Sequence, residues 1–177
     1  MFKSMLFAVM VLMSAPSWAA EKASLLDGAV HINLPQGFSQ LKPDEISSRF
    51  GRGKGRPPLA AFGDEKRKAM IVFTLSQPKT PFKEGELDDF VKNSKQSFQE
   101  RLSGVTWHKD EMTINGGRKW GRMLYSVKNQ NTDAKNDMYV TEFRGGVFVV
   151  NMTAPESVWN ASQTAFMESF RSIRVKN

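Results

Sequence analysis

Arg49, Arg52, Lys54 and Arg56 place four cationic side chains within the eight-residue segment RFGRGKGR. Its three glycines, with two prolines directly after it, preclude a regular helix or strand. Guanidinium and ammonium groups can clamp a phosphate group, an acidic protein face or an anionic lipid headgroup. The segment has the spacing of neither a P-loop nor a dinucleotide-binding fingerprint. We therefore take these four residues as a candidate anion-binding site, with a solvated basic loop as the alternative.

Catalytic chemistry has little support in the sequence. The chain contains two histidines, His31 and His108, and no cysteine. A serine triad needs a histidine base that is oriented by a carboxylate, and neither histidine lies beside a recognisable nucleophile motif. The lack of cysteine excludes disulfides, thiolate metal sites and cysteine nucleophiles. We predict that the protein is not an enzyme and that it uses no metal and no cofactor.

Three pairs of adjacent carboxylates also occur, at Asp64–Glu65, Asp88–Asp89 and Asp110–Glu111. General acid–base catalysis needs two carboxyl groups that face one cleft with separated pKa values. Neighbouring residues on a strand or a helix point in different directions. We interpret these pairs as solvated charges or as acids at a helix start.

The overall charge is basic, with 25 Lys and Arg against 18 Asp and Glu and a net charge of +7. Such a charge favours a partner with an acidic surface. A basic glycine-rich loop can also bind phosphate backbones, but we predict no nucleic acid partner because the expected location of the protein contains little nucleic acid.

That location follows from residues 1–19, which have the layout of a secretory signal peptide. The apolar run Leu6–Met13 follows a lysine, and Ser17 and Ala19 supply small residues at positions −3 and −1. The run is far shorter than the roughly 20 residues that span a bilayer. We predict cleavage after Ala19, a single domain over 20–177 and a periplasmic protein without stable membrane insertion.

Hydrophobic spacing predicts an α+β fold. Leu87, Phe90, Val91 and Phe98 share one helical face, and alternation of apolar and polar residues marks several strands. The predicted strands are 29–34, 59–62, 69–76, 105–115, 118–129, 137–144 and 147–154; the predicted helices are 43–50, 86–102 and 156–173.

The last four strands form a predicted antiparallel meander. Gly116–Gly117 and Gly145–Gly146 supply two-residue hairpin connections. Between these hairpins, Gln130–Asn136 is predicted to be a longer polar loop. Trp107 and Trp120 flank the first hairpin, where we expect them to be cross-strand neighbours.

Several of these features occur together in a known superfamily. An early strand runs into the turn Pro35–Phe38, a hairpin turns at Asn115–Gly117, and the closing helix carries Phe166, Phe170 and Ile173. The pattern resembles the DcrB-like branch of the superfamily that shares the fold of PsbP and the Mog-type Ran-binding proteins. The chain departs from DcrB itself in lacking a cysteine for lipidation.

The resemblance implies an antiparallel sheet sandwiched between helices in one domain, and a non-enzymatic binding, chaperone or assembly role. Two functions fit: an envelope accessory or assembly factor, and an immunity protein that binds a toxin. The alternatives are an anionic lipid or lipopolysaccharide binder that uses the basic loop, and an enzyme with an unrecognised site.

Overall fold

The computed structural model describes residues 21–51, 57–130 and 132–176. Within these ranges the chain forms ten strands, three α-helices and a 3₁₀ turn at Glu84–Glu86. The strands are β1 (Lys22–Leu25), β2 (Val30–Asn33), β3 (Ser39–Gln40), β4 (Ala60–Gly63), β5 (Met70–Ser76), β6 (Val105–Asn115), β7 (Arg118–Asn129), β8 (Thr132–Phe143), β9 (Gly146–Ala154) and β10 (Arg174–Val175). The helices are α1 (Pro43–Phe50), α2 (Leu87–Arg101) and α3 (Glu156–Ser172).

Seven strands form the main sheet, in the order β3-β4-β5-β9-β8-β7-β6. All of their pairings are antiparallel, and β6 to β9 form the predicted meander. The early strand β2 does not join this sheet. It pairs instead with β1 and with β10, the strand that follows α3. The expected sheet between helices is therefore confirmed, with a small second sheet added to one layer.

The two faces of the main sheet have different coverings. On β9, Phe148, Val150 and Met152 have no solvent-exposed area and pack in one cluster with α3 and β2. The alternate residues Val147 and Val149 face the other side, where they pack with α2. We call these sides the α3 face and the α2 face. The short helix α1 also lies on the α2 face, because its Ile46 and Phe50 pack against Val72 of β5.

The first hairpin forms as the sequence predicts. Asn115 pairs with Arg118, and the two glycines between them have φ values of 59° and 77°, a conformation that glycine adopts without strain. The predicted turn at Gly145–Gly146 is wrong by one residue. Phe143 pairs with Gly146, so the turn residues are Arg144 and Gly145, with φ values of 51° and 73°.

The predicted polar loop Gln130–Asn136 is also wrong, because most of it belongs to β8. Thr132 already pairs with Asn129, and Asn136 lies between Tyr125 on β7 and Thr153 on β9. A strand with a neighbour on each side gains backbone hydrogen bonds at every position, which outweighs the low strand propensity of Asp and Asn. The two tryptophans of the hairpin are not neighbours either. Trp107 pairs with Tyr125, whereas Trp120 pairs with Thr113.

A close approach positions α2 on the sheet. A Cβ atom at Gly121 of β7 would lie inside van der Waals contact with Cγ2 of Val91, so the helix can approach only because β7 has no side chain there. The predicted helices over 86–102 and 156–173 are confirmed, and each ends one residue earlier. No helix in the described part of the chain is long and apolar enough to cross a membrane.

Candidate functional site

Arg49 is the only member of the predicted cationic site that the structure describes. Its exposed side chain lies in the last turn of α1. Arg52, Lys54 and Arg56 lie outside the described residues. Arg49 lines a cavity of about 570 Å³ on the α2 face together with Phe50, Lys68 and Thr153. Arg49 therefore borders a surface depression beside α1.

That depression is one end of an incompletely covered surface between α1 and α2. Along β9, the α3 face is fully buried, whereas Val149, Asn151 and Thr153 on the α2 face remain partly exposed. Thr74, which pairs with Val149, is also partly exposed. We call Thr74, Val149, Asn151 and Thr153 the central strip. α2 lies mainly over β6, β7 and β8, and α1 packs on β4 and β5.

The end of the central strip nearest the start of β9 is apolar. A cavity of about 660 Å³ opens there, and none of its lining residues carries an ionisable side chain. Its walls include Pro57, Leu75, Phe90 and Val147. Phe90 belongs to α2 and stacks edge-on against Phe82, with ring centroids 5.5 Å apart. This end can accept apolar side chains.

The opposite end is basic. Arg49, Arg67 and Lys68 line the 570 Å³ cavity together with one carboxylate, Asp133. The guanidinium of Arg67 is already hydrogen-bonded within the protein. It donates to Glu45 at 3.0 Å and to the backbone carbonyls of Ser39 and Gly63. Arg49 and Lys68 are exposed. These two cations are the groups at this end that can meet an anion.

Glu45 holds this end of the site in place. It accepts hydrogen bonds from the backbone N–H of Lys42 and from the guanidinium of Arg67. Both bonds favour the carboxylate and lower the pKa of Glu45, the Lys42 bond more than the Arg67 bond. The ion pair joins α1 to the loop before β5, so it positions Arg49 beside Lys68.

The middle of the central strip contains an unsatisfied acceptor. Asn151 donates from Nδ2 to Oδ1 of Asn136 at 3.1 Å, but its own Oδ1 is buried and has no hydrogen-bond partner in the described part of the chain. An unmade hydrogen bond of this kind costs about 1–3 kcal/mol.

The α3 face carries a second group of charged residues, which the sequence analysis did not predict. Arg122 of β7 donates from Nε and Nη2 to both oxygens of Asp137 on β8, at 2.8 Å each. Its Nη1 donates to Glu111 of β6 at 3.1 Å. The side chain of Asp137 is 2% exposed and that of Arg122 is 14% exposed. The pair is therefore a nearly buried, bidentate ion pair in the middle of three strands.

Tyr139 extends this network into the core. Its hydroxyl donates to Oδ2 of Asp137 at 2.9 Å, and its ring stacks on Phe170 of α3 with centroids 3.6 Å apart. Burial, followed by the negative charge of Asp137, raises the pKa of Tyr139 well above its ordinary value. Pairing with Asp137 raises the pKa of Arg122. Both groups therefore keep their protons at neutral pH.

The sequence did contain a signal for this network. Trp120, Arg122 and Leu124 alternate along one face of β7, so the arginine stands at a position that faces the core. Asp137 and Tyr139 alternate in the same way on β8. A cation at an inward position of a strand predicts a buried carboxylate on a neighbouring strand.

The histidines and carboxylate pairs noted in the sequence do not come together in one site. His31 lies on β2, and His108 sits at a bulge of β6, where its Nε2 contacts the hydroxyl of Ser126 at 2.7 Å. Asp110 contacts Lys95 and Asp88 contacts Lys119. No group of three or more His, Asp or Glu in residues 21–51, 57–130 and 132–176 could hold a metal ion.

Comparison with known proteins identifies the fold. The sequence matches no protein-family model and no curated protein. The structure resembles the cyanobacterial PsbP protein CyanoP from Synechocystis, with a TM-score of 0.62 and 15% identity over 93% of this chain and 98% of that one. It also resembles LpqN of Mycobacterium tuberculosis, described as involved in cell envelope biogenesis, with a TM-score of 0.58 and 12% identity over 93% of this chain and 88% of that one.

A third similar structure is PA94 of Pseudomonas aeruginosa, described as a putative regulator, with a TM-score of 0.57 and 13% identity over 89% of this chain and 98% of that one. These likenesses confirm the PsbP-like α+β fold that the sequence pattern predicts.

Proposed function

We propose that this chain with a PsbP-like fold is a non-enzymatic accessory or assembly protein of the cell envelope that binds a segment of a partner protein along the central strip. The observation that carries the proposal is the contrast between the two faces of β9. Phe148, Val150 and Met152 are fully buried, whereas Val149, Asn151 and Thr153 remain partly exposed between two cavities.

The chemistry of the strip favours an amphipathic occupant. From Val147, beside the central strip, to Thr153 at its end, β9 runs roughly 20 Å, at about 3.3 Å per residue. Apolar side chains of the partner would enter the cavity at Val147 and Phe90. An acidic residue of the same segment would meet Arg49 and Lys68 at the other end.

An envelope location is part of the proposal. It rests on the signal-peptide pattern of residues 1–19 and on the likeness to LpqN, whose description places that protein in envelope biogenesis. The pattern lies outside the described residues. A periplasmic accessory protein needs no bound cofactor for a role based on protein contact, which agrees with the absence of a catalytic motif in the sequence.

The test is affinity capture from the envelope fraction of the source cell, with residues 20–177 as bait. The bait is compared with Val149→Lys, which adds a charge to the apolar end of the strip, and with Arg49→Glu, which reverses a charge at its basic end. The matched controls are Leu102→Lys and Arg101→Glu, at exposed positions near the end of α2. A photo-crosslinker at position 149 identifies the contacting segment.

A stoichiometric partner that both strip variants lose, that both controls retain and that crosslinks at position 149 supports the proposal. A partner retained by the strip variants overturns the proposed site, and capture of no partner overturns the binding role. Salt adds a further criterion, because the association rate should fall as ionic strength rises if Arg49 and Lys68 steer an acidic segment.

The immunity role is a narrower version of the same binding activity. It requires that the captured partner be a toxin and that deletion of the protein make cells sensitive to toxin-bearing neighbours. An accessory role instead requires an envelope defect on deletion in pure culture. Comparison of the deletion strain in pure and mixed culture separates the two roles.

A further inference from the structure

A small cavity lies on the α3 face, on the opposite side of the main sheet from the central strip. It measures about 180 Å³ and opens between the last turn of α3 and strand β6. Engineered cavities of ~150 Å³ admit a benzene ring, so this volume suffices for a small organic group. Its lining includes Thr113, Arg122, Tyr139, Met167, Phe170 and Arg171.

The cavity offers hydrogen-bond donors from Arg122. A guanidinium carries five N–H groups, and three hydrogen bonds to Asp137 and Glu111 account for three of them. Arg122 lines the cavity, whereas the two carboxylates that it binds do not. A ligand in the cavity therefore meets Arg122 rather than its carboxylate partners.

Arg171 supplies a second cation. It lies in the last turn of α3 with an exposed side chain. In the described part of the chain, no carboxylate or carbonyl accepts a hydrogen bond from its guanidinium, although its own backbone carbonyl accepts one from Arg174. Arg171 is thus an exposed cation that lines the same cavity as Arg122.

The local charge is suited to an anion. Arg122, Arg171, Lys109 and Arg174, whose guanidinium donates to the carbonyl of Arg171, carry four positive charges, and Asp137 and Glu111 carry two negative ones, which leaves two positive charges in excess. The remaining walls are mixed, with polar Thr113 and Asn115 beside apolar side chains. Met167 and Phe170 of α3 lie on one side, and the tyrosine ring that stacks on Phe170 lies on the floor.

We propose that this cavity is a binding site for a carboxylate group attached to a small apolar body, with Arg122 and Arg171 as the residues that bind the carboxylate. Planar guanidinium groups match the geometry of a carboxylate. The site is independent of the proposed partner segment, because the central strip lies on the other face.

The carboxylate has two sources, a free small acid or the C-terminus of a polypeptide, and both are tested by NMR. The probes are benzoate and N-acetyl-Gly-Phe with a free C-terminus. Their neutral counterparts are benzamide and the amidated peptide. The signals of Arg122 Nε–H, Trp120 Nε1–H and the Arg171 backbone amide report binding. The test variant is Arg171→Gln, and the matched control is Arg101→Gln, an exposed arginine in the last turn of α2.

The expected result is that at least one carboxylate probe shifts these signals, that its neutral counterpart does not, and that Arg171→Gln weakens binding about tenfold while Arg101→Gln leaves it unchanged. Tighter binding of the peptide indicates a polypeptide terminus, and tighter binding of benzoate indicates a free acid. Equal shifts from the charged and neutral probes, equal binding by the two variants, or no binding at all would overturn the proposal.

Discussion

Arg122 and Asp137 lie on adjacent strands and form two parallel hydrogen bonds of 2.8 Å, with Asp137 only 2% exposed. The two side chains connect the edge of the main sheet to its core, because Glu111 of β6 accepts from the same guanidinium and Tyr139 donates to the same carboxylate. A charged pair at this depth is stable only while both members are present.

Removal of either Arg122 or Asp137 alone should therefore lower the free energy of unfolding. Arg122→Met leaves the Asp137 carboxylate buried without its cation, and we expect a loss of about 3–5 kcal/mol in the free energy of unfolding. Arg122→Met combined with Asp137→Leu should cost less than the sum of the two single changes, since no unpaired charge remains. Urea denaturation of the four proteins measures the coupling.

The exposed pair Lys95–Asp110, at 3.1 Å, serves as the control for this cycle. Truncation of either of its members should cost about 1 kcal/mol or less, because solvent screens the interaction. Additive effects at Arg122 and Asp137, similar in size to those of the exposed pair, would contradict the structural importance of the buried pair.

The two tyrosines of the chain should resist ionisation. Burial raises the pKa of Tyr125 to about 12, and burial together with Asp137 raises that of Tyr139. Ultraviolet titration should show no tyrosinate formation near pH 10 in the folded protein. Unfolded tyrosines lose their protons near pH 10, so the stability of the fold should fall as pH rises above that value.

The variant Tyr139→Phe separates the ionisation of Tyr139 from that of Tyr125. It should remove about half of the absorbance change that accompanies alkaline unfolding and leave the late ionisation of Tyr125. Ionisation of a tyrosine near pH 10 without any loss of near-ultraviolet circular dichroism would contradict the buried positions of these rings.

A fall in pH should weaken the attachment of α1 to the loop before β5. The pKa of Glu45 is lowered by its hydrogen bonds to Lys42 and Arg67. Its contribution to stability is therefore complete above the ordinary glutamate value of about 4.3 and is lost as pH falls through the lower folded pKa. The protection factors of the α1 amides against hydrogen exchange should fall over that range, before the main sheet unfolds.

Glu45→Gln provides the comparison, because glutamine keeps an acceptor for both donors but does not titrate. The protection factors of the α1 amides should be lower in this variant at neutral pH and should depend less on acidification. An identical pH dependence in the two proteins would show that another group controls the helix.

Any side chain at position 121 should destabilise the packing of α2 on β7. A Cβ at this position collides with Val91 Cγ2, and overpacking of this kind costs about 1–3 kcal/mol. Gly121→Ala should therefore lower the melting temperature. The second change Val91→Ala should recover part of the loss, because it removes the colliding methyl groups.

Gly117→Ala is the contrasting variant, since nothing lies within 4 Å of its Cβ position but its φ is 77°. The loss of stability in Gly117→Ala should come from backbone strain alone. The change Val91→Ala should therefore not restore that stability. A rescue of Gly117→Ala by the helix variant would contradict the close approach at Gly121.

The sequence by itself determined the elements whose signals are local. The apolar period from Leu87 to Phe98 specified α2, and the glycines at 116 and 117 specified a tight hairpin, because helical periodicity and positive φ depend on a few neighbouring residues. The α+β order and the PsbP-like pattern followed from those elements.

Only the tertiary structure decided the relationships that depend on pairing between distant strands. Asn136 is in a strand because Tyr125 and Thr153 flank it, and Arg122 becomes a buried ion pair because β8 brings Asp137 beside it. The exposure of Asn151 depends on where α1 and α2 end on the sheet. A one-residue shift of register would exchange the two faces of β9, so the positions of the central strip and the cavity at Arg171 follow from the assembled sheet.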